Sequence, residues 1–150
     1  MAPLFGAWPS NRRRLYNRIH RRLSKTGGCR NIRYEPNALR AREVVADVDP
    51  TMFLGREYAT EVAHLRVEFA LGYSPVWYRI NWWEPAERRG FGWHQDQTEP
   101  TYGPVHFQVE REDGTTTRQR SEFVVDEHPY HTFERRLSQI ETKLTCLGWW

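Results

Sequence analysis

Apolar and polar residues alternate with a period of two through the middle of this chain. In H64-L-R-V-E-F-A-L71, Leu65, Val67, Phe69 and Leu71 fall on one side and His64, Arg66 and Glu68 on the other, the signature of a strand with one wet face. G72-Y-S-P turns the chain, and V76-W-Y-R-I-N-W-W-E84 then sets Val76, Tyr78, Ile80 and Trp82 against Trp77, Arg79, Asn81 and Trp83. The two segments read as an antiparallel hairpin. A third strand, F91-G-W-H94, and a fourth, V105-H-F-Q-V109, flank a loop rich in Pro, Gly and Thr. Val105, Phe107 and Val109 point inward, and His106, Gln108 and Glu110 line the other face. Asp113-Gly114 is a tight-turn signal into T115-T-T-R-Q-R120 and F123-V-V125.

The period then changes. Phe133, Leu137, Ile140 and Leu144 recur at helical spacing, with Asp126 near Pro129 as the expected cap and Gly148 as the stop. A sheet with a single apolar face needs a lid. The expected fold is therefore α+β: an antiparallel meander of four to six strands with a C-terminal helix packed on one face.

Ahead of that pattern, Leu15, Ile19 and Leu23 align on a narrow helical stripe among Arg12, Arg13, Arg14, Arg18, Arg21 and Arg22, and Gly27-Gly28 ends it. No sustained period follows as far as Ala46. Residues 1–46 read as a basic arm, helical in part or disordered, and residues 47–150 as one domain. The arginines of the arm suit the phosphates of nucleic acid.

Composition sharpens this division. The 150 residues carry a formal charge of +3. Eleven basic residues face two acidic ones in 1–46, against eleven basic and seventeen acidic in the remainder. Of the basic residues only Lys25 and Lys143 are lysines, so an acidic, lysine-poor body hints at a halophilic host. Cys29 and Cys146 stand far apart and outside any C-x-x-C motif, which removes a disulfide framework or a zinc ribbon from consideration. No run approaches the length of a membrane span and no signal-peptide core opens the chain, so a cytoplasmic protein is expected.

The candidate chemistry lies in G90-F-G-W-H-Q-D-Q-T-E-P-T-Y-G-P-V-H-F-Q-V109. Residues at either end of a hairpin loop pair across the ladder, which makes His94 and His106 near neighbours. Asp96 is placed to orient an imidazole or to share a metal with it. Two imidazoles beside a carboxylate suit acid/base cleavage of a phosphodiester, with Arg79 or Arg135 supplying a cation. His128 and His131 lie three apart at the start of the last helix, with Arg135 a turn beyond. Trp77 and Trp83 flank Arg79 on the polar face and resemble a stacking platform for unpaired bases. The bland reading stays open for each: strand-edge histidines, a polar helix start, tryptophans packed beneath a loop.

Two resemblances bear on these residues. W93-H-Q-D96 is similar to the H-x-D segment of iron- and 2-oxoglutarate-dependent dioxygenases, which would imply Fe(II) held by two histidines and a carboxylate. That family places its third ligand far downstream on a larger barrel, and little sheet remains here after His94. The order Y78-x-I-x-W82, W93-H-x-D96, a Pro-rich loop, His106 and a closing helix resembles the small TumE-type toxin–antitoxin proteins over about residues 62–142. The adjacent histidine pairs of that family are absent, His128-x-x-His131 being the nearest substitute. This resemblance implies a prokaryotic toxin-like component acting on RNA, with an antitoxin and RNA as partners. No cofactor is expected, a divalent metal being left open, and a non-enzymatic nucleic-acid or protein interaction module is the alternative.

Overall fold

The computed structural model describes residues 8–73, 75–124 and 128–150, excluding the side chains of 8–10. Its elements run α1 (Trp8–Ser24), β1 (Cys29–Glu35), β2 (Glu43–Val48), α2 (Pro50–Leu54), β3 (Ala63–Ala70), β4 (Trp77–Glu84), β5 (Arg89–Gln95), β6 (His106–Glu110), β7 (Thr116–Arg120) and α3 (Pro129–Leu147). The strands form one antiparallel sheet in the order β1-β2-β3-β4-β5-β6-β7, each hydrogen-bonded to its neighbours in sequence and not closed into a barrel. The fold is α+β, with seven strands where four to six were expected.

The period-two segments lie where the pattern put them. Leu65, Val67 and Phe69 of β3, Tyr78, Ile80 and Trp82 of β4, Phe91 and Trp93 of β5, and Phe107 and Val109 of β6 are all buried. They share one core with Phe133, Leu137, Ile140 and Leu144 of α3. The turn at Asp113-Gly114 joins β6 to β7, with Gly114 at φ 84° and Arg111 N–H donating to Thr115 O at 2.9 Å. Residues 121–124 form no strand. Val125 and the expected cap Asp126 lie outside the described residues. The cap observed is His128, whose Nδ1 accepts from Tyr130 N–H at 3.2 Å, and Gly148 ends α3 in the left-handed conformation at φ 69°.

The described part of the expected arm, residues 8–46, packs as part of the domain. Leu15, Tyr16, Ile19 and Leu23 of α1 are buried in the same core as α3, β1 and β2 extend the sheet, and the expected boundary at residue 46 falls inside β2. Tyr16 ties the helix to the sheet: Phe69 N–H donates to its hydroxyl at 3.0 Å, and the hydroxyl in turn donates to Arg42 O. Burial pushes that phenol up to about 12. α1 lies against α3 through Arg22 Nε to Glu134 Oε1 at 3.0 Å and through the Arg18 guanidinium over the Tyr130 ring at 3.9 Å. A narrow apolar stripe suffices because α1 covers only one end of the sheet, and its arginines fill the rest of its circumference.

A second anchor lies at the C-terminal end of β4, the central strand. Glu84, fully buried, accepts from Thr60 Oγ1 at 3.1 Å, Trp82 Nε1 at 2.9 Å, Arg89 Nε at 2.9 Å and the Tyr58 hydroxyl. Arg89 also donates to Trp149 O at 3.1 Å. Every oxygen of this buried carboxylate is thus met by donors, the condition under which a charge is tolerated in a core.

Candidate functional site

Both long helices pack on the inner face, so the alternating residues of β2 to β7 line the opposite face, which is polar for the most part and on which Val45 and His106 are buried. Antiparallel register aligns them in rows across the strands. One row runs Glu43, Glu68, Arg79, His94, His106, Arg120. The next runs Val45, Arg66, Asn81, Gly92, Gln108, Arg118, and a third runs His64, Trp83, Gly90, Glu110, Thr116. A strand rises about 3.4 Å per residue, so rows two residues apart lie about 7 Å from one another.

His94 and His106 are directly paired in register, as the sequence implies, with ring centroids 5.1 Å apart. His94 is half-buried, and its Nε2 sits 2.8 Å from Asn81 Oδ1. With that oxygen accepting, Nε2 carries the proton and Nδ1 the lone pair. Burial pushes the imidazole down to about 4, helped by neighbouring His106 and the Arg79 guanidinium and opposed by Asp96. His94 is therefore neutral at physiological pH. His106 is only 2% exposed, and its Nε2 is buried with no hydrogen-bond partner. Burial lowers its pKa as well. It stands beside His94 on the same face, with the Tyr102 ring centroid 6.3 Å from its own.

Asp96 does not bond to either imidazole. Its Oδ1 accepts from Thr98 N–H at 3.1 Å and Thr98 Oγ1 at 2.7 Å, and its Oδ2 from Arg79 Nε at 2.5 Å. Burial works to raise this carboxyl, but the Thr98 and Arg79 hydrogen bonds outweigh it and hold it below the usual carboxylate range. The consequence is positional. Arg79 is clamped through Nε while its side chain stays 44% exposed, so the end of the guanidinium stands at the surface beside His94.

The two tryptophans expected as one platform are six residues apart on β4, about 20 Å along the strand. Trp77 stacks on Tyr73 with centroids 3.4 Å apart and planes at 1°. Both border a groove of about 300 Å³ shared with Arg79, Asp96 and Thr98. Trp83 leans over Gly90, where a Cβ would come within 2.6 Å of its Cε3. Asn81 lies over Gly92 in the same way, since a Cβ there would overlap its Oδ1. These glycines, two apart and hence on one face, open a second groove of about 370 Å³ lined by Arg66, Arg79, Asn81, Trp83, His94, Gln108 and Glu110. Arg79 and His94 thus lie between two aromatic surfaces.

The other expected residues are elsewhere. His128 and His131 sit at the start of α3 on the helix layer with ring centroids 5.6 Å apart, and Arg135 is exposed one turn on. His128 caps the helix and borders a groove of about 490 Å³ with Arg14, Arg18, Leu15 and Val76. Of the α1 arginines, Arg13, Arg14, Arg18 and Arg21 are exposed and Arg12 and Arg22 are half-buried. They cover the side of the molecule opposite His94.

The grouping needed for the iron reading does not form among the described residues. Among the described residues no three His, Cys, Asp or Glu side chains converge to hold a metal ion, and Asp96 is turned to Arg79 and Thr98. Sequence reasoning missed Asn81, which fixes the His94 tautomer, and Thr98, which fixes Asp96. It also missed the Gly90/Gly92 pair, although two glycines at strand spacing are a visible signal of close approach. No described helix is long and apolar enough to cross a membrane. Comparisons with protein families, with curated proteins and with solved structures found no match for this chain.

Proposed function

We propose that the sheet face opposite the helices binds single-stranded RNA and that His94 acts there as general base on a phosphodiester. The observation that carries this reading is the placement of a neutral imidazole next to an outward guanidinium, midway between two aromatic surfaces on one strand. A general base must hold a lone pair at working pH, and His94 Nδ1 does. The 2′-hydroxyl gives its proton to that nitrogen, O2′ bonds to phosphorus, the bond to the 5′-oxygen breaks, and the leaving oxygen takes a proton from water. Arg79 neutralises the charge that gathers on the phosphoryl oxygens. Unpaired bases on either side stack on Tyr73–Trp77 and on Trp83, an attraction blind to sequence. His106 and Asp96 act through their neighbours, one packed beside His94 and one bonded to Arg79.

The toxin half of a toxin–antitoxin pair is the biological setting that the resemblance over about residues 62–142 supports. Arrest of growth on expression, relieved by a neighbouring reading frame, tests it.

A non-enzymatic RNA-binding module is the second reading, favoured by the burial of His106 and by the bond that turns His94 Nε2 toward Asn81. Single-turnover assays on a labelled oligoribonucleotide with a 2′-deoxy control separate the two. Cleavage that needs the 2′-hydroxyl and falls about 10²- to 10⁴-fold in His94→Gln supports the base. Binding without cleavage, unchanged by that substitution, supports the module.

A further inference from the structure

The hollow made by Gly90 and Gly92 has a specific chemistry. Trp83 lies over Gly90 and Asn81 over Gly92, and beyond them the groove is bounded by Gln108 and Glu110. Glu110 is exposed, and among the described residues its carboxylate is met only by Gln108 Nε2 at 3.1 Å. Gln108 is itself fixed, because its Oε1 accepts from Arg118 Nε at 3.0 Å. A relay of side chains thus holds one carboxylate at the lip of a groove lined by an indole. The acid side chains nearer β1 are differently engaged: Glu35 and Glu43 both pair with Arg66.

A planar ring slotted beside Trp83 would present its edge to Glu110. Two adjacent N–H donors on that edge match the two oxygens of a carboxylate. Among the RNA bases guanine alone offers such a pair, N1–H and the N2 amino group. Adenine and cytosine offer one amino group beside a ring acceptor, and uracil one N–H between two carbonyls. The spacing fits as well. From the row of Glu110 and Gly90 to the row of His94 is four residues, about 14 Å, enough for one nucleotide laid from its base edge to its 3′-phosphate.

The geometry points to the groove between Trp83 and Glu110 as a guanine subsite that places the 3′-phosphate of that nucleotide at His94 and Arg79. This rests on the RNA reading above and adds to it a base preference and a cleavage position. Trp83 supplies the stacking surface, Glu110 reads the edge, and Gln108 with Arg118 positions Glu110.

The test uses the full chain. Guanosine, adenosine, cytidine and uridine 3′-monophosphates are titrated by calorimetry, and oligoribonucleotides carrying a single guanosine at different positions are mapped for cleavage. The expected result is at least tenfold tighter binding of the guanosine nucleotide and cleavage on its 3′ side. E110Q, at an exposed position, is expected to remove the preference while keeping RNA binding. W83A is expected to weaken all four nucleotides, and W83F to restore much of the loss. RNA bound or cut without base preference, or a guanosine preference that survives E110Q, overturns the subsite and leaves the RNA reading standing. Failure of every nucleotide and of RNA to bind overturns both.

Discussion

The imidazoles of His94 and His106 meet edge to face across β5 and β6, with centroids 5.1 Å apart and planes at 76°. Two imidazoles this close, one of them sealed from water, are not readily protonated together. Folding lowers the His94 pKa from 6.5 to about 4. Between those values the unfolded chain binds a proton that the folded one does not, so stability falls as pH drops through that window and is fully present above it. The loss expected by pH 4 is about 1–3 kcal/mol from this site. Thermal midpoints across pH 4–7 check it, and His94→Gln is expected to flatten the part of the slope that His94 contributes.

The same neutrality sets the pH profile of the proposed cleavage. His94 keeps its lone pair until the pH approaches 4, so the acid limb of the rate is expected well below the value near 6.5 that an ordinary histidine imposes. An acid limb centred near 6.5 in single-turnover rates would remove His94 from the role of base.

Gly92 tests the support of His94. A methyl group there overlaps Asn81 Oδ1, the atom that holds His94 Nε2. Gly92→Ala is expected to lower stability by about 1–3 kcal/mol in urea melts. It should also release the His94 ring, seen as a shift of its titration in NMR. Gly114→Ala, where nothing lies within 4 Å, costs through backbone strain alone and leaves that titration unmoved.

The buried carboxylate at Glu84 gives a sharper contrast. Removing it as Glu84→Ala leaves Arg89 and three further donors without their acceptor, with an expected loss of about 3–5 kcal/mol. Replacing Glu84 and Arg89 together by methionine removes both charges and is expected to cost less than the sum of the single changes. Denaturation of the four proteins of that cycle measures the difference.

Leu23→Ala tests whether α1 belongs to the domain. Leu23 is fully buried, so truncation is expected to cost about 2–5 kcal/mol. A change below 0.5 kcal/mol would mean that residues 8–24 hang free in solution.

The strands β3 to β6 and the helix α3 were legible because each carries one clean period. Leu65, Val67 and Phe69 alternate with charges, and Phe133, Leu137, Ile140 and Leu144 keep helical spacing. β2 was not, because V44-V-A46 is a continuous apolar run with no alternation to read, and β1 hides its inward residues among arginines. The stripe on α1 was seen, but its partner was not. Leu15, Ile19 and Leu23 say that a face is buried and nothing about what buries it.

Local order along the chain determined the α+β class, the pairing of His94 with His106 and the polar face on which they stand, because periodicity and hairpin register are properties of neighbours in sequence. Only the tertiary structure decided that Asp96 turns to Arg79 and Thr98, that His106 is sealed while His94 is not, and that His128 and His131 lie on the helix layer, away from the sheet face. Those outcomes depend on which side chains from distant strands reach a given atom first, and on how two helices share one side of a sheet. Neither is written in the spacing of residues.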